Sequence, residues 1–258
     1  MKNSLWFRGL RLWVQGLLLL CLRWAQLKTG FDPVTGLSRH SVPGLVLIAA
    51  LLFCAAAEVF FLFRTPRGKY AYRNAFAPPS QKILPVLLAS GGLICAGSIL
   101  LPGWSVLHIA AALLGAASAA GLVLLAKMLR GNERPKVYYL LPLMFFSVVF
   151  VLVIYFPEEN NPVLARYYLP VLASALAAYS LYHLAGFFRR EGSLRWFVFM
   201  ADLGVLLCLA ALPDFFDNPG RLLVSLGYAL LLTVFLLLRQ ADPLPEPEET
   251  EKKENSVP

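Results

Sequence analysis

The sequence predicts an all-α integral membrane protein: a polytopic bundle of eight transmembrane helices, or seven with an N-terminal amphipathic helix lying in the membrane interface. Three observations predict it. Hydrophobic residues make up 59% of the chain and charged residues 15%, where an ordinary soluble domain is about 45–50% apolar and about 25% charged. Apolar runs recur along the chain, and about 20 such residues cross the hydrocarbon core of a bilayer. The basic residues gather in alternate connections between those runs, which is how membrane helices encode their orientation.

The segment 6–27 opens the chain and reads two ways. At about 100° per residue, Arg8, Arg11, Gln15 and Gln26 form one stripe, with Arg23 at its edge. Trp6, Leu10, Trp13, Leu17, Leu20 and Trp24 lie opposite. Such a pattern suits a helix lying in the interface. It equally suits a spanning helix whose arginines snorkel from its ends, because 12–22 is apolar apart from Gln15. Charge favours spanning, since Lys2, Arg8 and Arg11 prefer the cytoplasmic side. No cleavable signal peptide is expected, because Arg23 interrupts the apolar run.

"FDPVTGLSRH" (31–40) follows. Pro33 fixes φ, Asp32 can accept from nearby backbone N–H groups and Gly36 tolerates positive φ. The stretch is expected to be a turn.

Seven nearly charge-free segments come next: 42–63, 83–101, 104–128, 137–156, 167–188, 194–212 and 222–238. All are expected to be helical, because backbone in lipid must satisfy its own hydrogen bonds. Pro85, Pro142 and Pro170 stand near the starts of their segments, where a missing N–H does little harm. Only Pro102 and Gly103 separate the second and third of these segments, which predicts a tight hairpin. Ala89, Gly92 and Ala96 on one, with Ala111, Gly115 and Ala119 on the other, are expected to form its contact. His108 is placed at its outer end.

Orientation follows from the connections. One carries Arg64, Arg67, Lys69, Arg73 and Lys82, another Arg130, Arg134 and Lys136, a third Arg189, Arg190 and Arg195. These are expected to face the cytoplasm of a bacterial cell, with both termini on the same side. The intervening loops "PEENNP" (157–162) and "PDFFDNP" (213–219) hold acids and Asn between prolines. They are expected to cap helices, although Glu158, Glu159, Asp214 and Asp217 could attract a cation. The bundle is assigned to residues 1–239. The tail 240–258 is Pro- and Glu-rich with little to bury and is expected to be disordered.

The formal net charge of +8 reads as orientation and attraction to anionic lipid, not as a nucleic-acid signature. The lipid bilayer is the expected partner, with a protein partner or small substrate left open. Cys21, Cys54, Cys95 and Cys208 fall one apiece in separate apolar segments, which predicts neither disulfide nor zinc site. No HExxH, GxSxG or phosphate loop is present, so neither catalysis nor a cofactor is expected.

One constellation points to chemistry. Glu58 stands six residues before Arg64, His183 six before Arg189 and Asp202 seven after Arg195. At 1.5 Å per residue, each lies about 9–10 Å inside the basic boundary. Ionisable groups at that depth are costly and usually face the bundle interior. Glu58, Tyr179, His183 and Asp202 are therefore the candidate intramembrane polar layer. His183 is the expected partner of Asp202, so that His183→Leu would destabilise more than Asp202→Leu. Such a layer suits a transporter-like or accessory membrane protein. The alternative is a non-catalytic scaffold or partner-binding subunit whose polar residues are structural.

Overall fold

The computed structural model describes residues 2–32, 41–103, 105–131, 136–156 and 164–240, without the side chains of 2–5 and 164–166. The turn from Pro33 onward, Arg134, the loop holding Glu158 and Glu159, and the tail from 241 lie outside the described residues.

In chain order the elements are α1 (Lys2–Thr29), α2 (Val42–Arg64), β1 (Lys69–Tyr70), α3 (Tyr72–Ala75), α4 (Leu84–Ile99), α5 (Val106–Arg130), α6 (Leu141–Tyr155), α7 (Leu164–Phe188), β2 (Gly192–Ser193), α8 (Leu194–Ala210) and α9 (Pro219–Leu238). Local chemistry sets several starts. The Ser41 hydroxyl accepts from Gly44 N–H at 3.2 Å and caps α2. The Asn218 side chain accepts from Arg221 N–H at 3.1 Å, with Pro219 opening α9. Pro85 and Pro142 sit in the first turns of α4 and α6. Pro170 does not: α7 begins before the charge-free run, so this proline lies inside the helix and removes one backbone donor.

Among the described residues, five helices are long and apolar enough to cross a membrane: Val42–Arg64, Val106–Arg130, Val137–Tyr155, Tyr167–Phe188 and Pro219–Leu238. The helices α4 and α8 have 16 and 17 residues, about 24–26 Å of rise against a hydrocarbon core of about 30 Å. Length does not limit α1, which has 28 residues, but its arginines and glutamines dilute its apolar character. Length and composition alone therefore mark five spans, not the eight read from the charge pattern.

The helices α8 and α9 form the centre. Every side chain from Val205 to Pro213 is buried, as is most of α9. Around them, α1 lies along α8 and α2, α4 packs on α9 and α5, and α7 packs on α8 and α6. The outer surfaces of α1 and α2 are apolar, with Trp6, Phe7, Leu18, Phe53, Phe60 and Phe63 all exposed.

The α4–α5 hairpin forms, but on a different face of α4 from the expected one. Ala89, Gly92 and Ala96 are exposed, and a Cβ added at Gly92 would meet nothing within 4 Å. The buried face is Leu87, Ser90, Gly91, Ile94, Gly97 and Ser98. The reason is that α4 serves two neighbours. Gly91 meets Leu122 of α5, while Gly97 lies against Gly220 and Val224 of α9. On α5 the expected residues hold, with Ala111 and Gly115 buried. At the hairpin tip the Ser105 hydroxyl and His108 Nδ1 are 2.6 Å apart, below Gly103 with its φ of +122°.

A small clasp, absent from the sequence expectations, gathers one end of the bundle. Two-residue strands β1 and β2 pair antiparallel, joining the α2–α4 connection to the α7–α8 connection. Ala77 N–H donates to Leu238 C=O at 2.7 Å and Gln240 N–H to Ala75 C=O at 2.8 Å, which ties in the end of α9. Phe76 is the anchor, its ring 5.0–6.1 Å from those of Phe187, Phe197 and Phe235 and stacked on Tyr72 at 4.9 Å. Burial pushes the Tyr72 phenol above its ordinary pKa, and its hydroxyl has no hydrogen-bond partner among the described residues. The ends of α2, α7 and α9 and the start of α8 thus meet at one basic end.

Candidate functional site

The polar residues of α1 meet the acids of α2 and α8 just inside that basic end. Arg11 donates through Nη2 to Glu58 Oε1 at 2.6 Å. Arg8 donates through Nη2 to Asp202 Oδ2 and stands 3.6 Å from Glu58 Oε2. One guanidinium nitrogen therefore bridges two carboxylates from two helices. Both acids are buried, with side chains 1% and 0% exposed, whereas the arginines retain 16% and 28%. The Phe61 ring lies 4.3 Å from the Arg11 guanidinium carbon and 5.5 Å from that of Arg8, a favourable placement for cations. Just beyond α9, burial and neighbouring Arg8 push Arg239 down to about 10, against the pull of Asp202; it remains protonated at neutral pH.

Each acid is paired with an arginine, which is what burial of charge requires. The hydrogen bonding is incomplete. Among the described residues, Arg8 Nε, Arg11 Nε, Glu58 Oε2 and Asp202 Oδ1 are buried without a hydrogen-bond partner. Partly satisfied polar networks are costly in low-dielectric surroundings, so this layer is not explained by packing economy.

Of the four candidate residues, Glu58 and Asp202 are brought together, while Tyr179 and His183 stand apart from them. The expected pairing of Asp202 with His183 is replaced by the Arg8 pair. The helical angle gives the reason. Ser180 faces α8 near Gly204, and His183 and Tyr179 lie about 60° and about 100° round α7 from it. The His183 ring instead meets Tyr179 edge-on at 4.7 Å, and its Nε2 has no hydrogen-bond partner among the described residues. Tyr179 and Tyr182 are 44% and 61% exposed on the outer face of α7.

A second charged contact closes the opposite end of α1. Arg23, wholly buried, forks onto Asp214 through Nη2 to Oδ1 at 2.6 Å and Nε to Oδ2 at 3.0 Å, and its Nη1 donates to Gln26 Oε1 at 2.7 Å. The Tyr168 ring lies 5.6 Å from its guanidinium carbon. Arg8 and Arg23 are about 22 Å apart along α1, and their acids follow the same order along α8 and the Leu212–Phe215 turn beyond it. The two helices therefore run parallel, joined at two levels. Between the levels the Gln15 Oε1 is buried without a partner. Beside the Arg23 fork a cavity of about 660 Å³ opens between the end of α1, the start of α7 and residues 213–221.

Sequence reasoning missed Arg8, Arg11 and Arg23 as site residues because each already had a reading as an orientation or interface charge. Among the described residues, no three His, Cys, Asp or Glu side chains gather to hold a metal ion. Compared with protein-family models, with curated proteins and with solved structures, the chain matches none.

Proposed function

We propose that the chain is a transporter-like membrane protein of eight spanning helices, with the Arg8–Arg11–Glu58–Asp202 layer as its inner gate. The observation that carries this reading is that layer itself: two acids and two arginines from three helices, joined by ion pairs but short of hydrogen-bond partners among the described residues. A purely structural network gains from complete satisfaction. One with spare donors and acceptors can exchange partners as α1 moves against α2 and α8, which is what alternating access requires of a gate. The cavity at the other end of α1 is then the open, outward mouth.

The basic connections, the clasp and both chain ends are assigned to the cytoplasmic face, and α1 to a spanning position parallel to α8. A cysteine at Asn3 in otherwise cysteine-free protein is expected to resist an impermeant thiol reagent in intact cells and to react after permeabilisation. Efficient labelling of intact cells would place the N-terminus outside and remove the eight-span reading.

The second reading, a scaffold with structural charges, is favoured by the ion pairs of Arg8 and Arg11 with Glu58 and Asp202, which lock α1 to its neighbours. Access at mid-membrane separates the two. With Cys21, Cys54, Cys95 and Cys208 replaced by alanine, Gln15→Cys in sealed vesicles is expected to react with an impermeant methanethiosulfonate from each face. A cysteine there that stays unreactive from both faces would establish the scaffold reading instead.

A further inference from the structure

The cavity at the outward end of α1 has the makings of a ligand site, and its walls define the class of ligand. At about 660 Å³ it falls within the range of roughly 300–1,000 Å³ typical of small-molecule pockets. Lys28, in the last turn of α1, and Asp217, in the connection into α9, both line it. Neither makes a hydrogen bond or ion pair among the described residues. The Arg23–Asp214 fork beside it is already paired, and Asp32, which also lines it, is engaged in an interaction of its own. Arg221 is held with its Nη2 on Val153 C=O at 3.1 Å. Trp24, Tyr167 and Phe216 supply aromatic wall.

An anion alone would answer Lys28 and leave Asp217 unmatched; a cation alone would do the reverse. We propose that this cavity binds a small zwitterion, its ammonium group facing Asp217 and its carboxylate or phosphate facing Lys28. Trp24 offers the ammonium an electron-rich face. The same chemistry arises from a free solute or from the headgroup of an aminophospholipid. The inference rests on the transporter-like reading only for the side to which the cavity opens. Binding by purified protein and labelling at Gln15→Cys fail independently of one another.

The test uses the full chain in nanodiscs of phosphatidylglycerol, titrated with O-phosphoethanolamine while tryptophan fluorescence is followed. A saturable change is expected, absent in Trp24→Phe. It should shift to about tenfold higher concentration in Lys28→Gln and in Asp217→Asn, as loss of one charge-assisted hydrogen bond implies. A change seen with phosphatidylethanolamine nanodiscs but not with the soluble probe would support the same site and name the headgroup as its source. Both side chains are exposed and make no hydrogen bond or ion pair among the described residues, so the variants should elute as wild type on size exclusion. The exchange Lys28→Asp with Asp217→Lys should recover most of the affinity. Equal titrations for wild type and both single variants, or equal responses to phosphate or ethylammonium alone, would overturn the proposal.

Discussion

Arg8→Leu is expected to destabilise the bundle by about 3–5 kcal/mol, because it strands the buried Asp202 carboxylate without its partner. Arg8→Leu combined with Asp202→Leu should recover most of that loss, since the pair is removed together and apolar bulk replaces it. His183→Leu should cost about 1 kcal/mol or less, as the imidazole Nε2 makes no hydrogen bond to lose. A small loss at His183 runs against its expected role as the partner of Asp202, which would make His183→Leu costlier than Asp202→Leu. Unfolding by sodium dodecyl sulfate titrated into mixed micelles gives all three values. Equal losses for Arg8→Leu and the double variant would show that Asp202 does not depend on Arg8.

Gly97→Leu is expected to cost about 3 kcal/mol or more, at or beyond the upper end for overpacking. A Cβ at Gly97 would stand 2.7 Å from Gly220 C=O and 2.9 Å from Val224 N. Both are backbone atoms, so the α4–α9 pair must separate to admit it. Gly92→Leu, five residues earlier where the added Cβ meets open space, should change stability by less than about 0.5 kcal/mol. The same titration decides, and a larger loss at Gly92 than at Gly97 would restore the packing face read from the small-residue pattern.

How far the sequence disclosed the molecule can be followed through particular residues. The helices were legible because lipid leaves the backbone few alternatives, and the depths of Glu58 and Asp202 followed from counting residues to Arg64 and Arg195. Depth fixes a level along a helix but not a direction around it, so His183 shared the level and faced elsewhere. The stripe of Arg8, Arg11 and Gln15 was visible, yet a polar stripe reads the same whether it meets water, headgroups or acids on another helix. Pairing across 194 residues leaves no local trace. The clasp was hidden for a similar reason: two-residue strands carry no periodicity, and Phe76 gains its cage only when three distant helices arrive.

The charged contacts of α1 differ widely in when they become available during synthesis. Glu58 follows Arg11 by 47 residues, whereas Asp202 follows Arg8 by 194 and Asp214 follows Arg23 by 191. At about 5–20 residues per second, the last two arginines wait roughly 10–40 s for their acids. During that interval Glu58, on the helix made directly after α1, is the acid that Arg8 and Arg11 share. The amphipathic character that made α1 hard to place suits such a wait, because a helix with one charged stripe can rest at the membrane surface. On this schedule the α1–α2 hairpin is an assembly intermediate, and the arrival of α8 completes it.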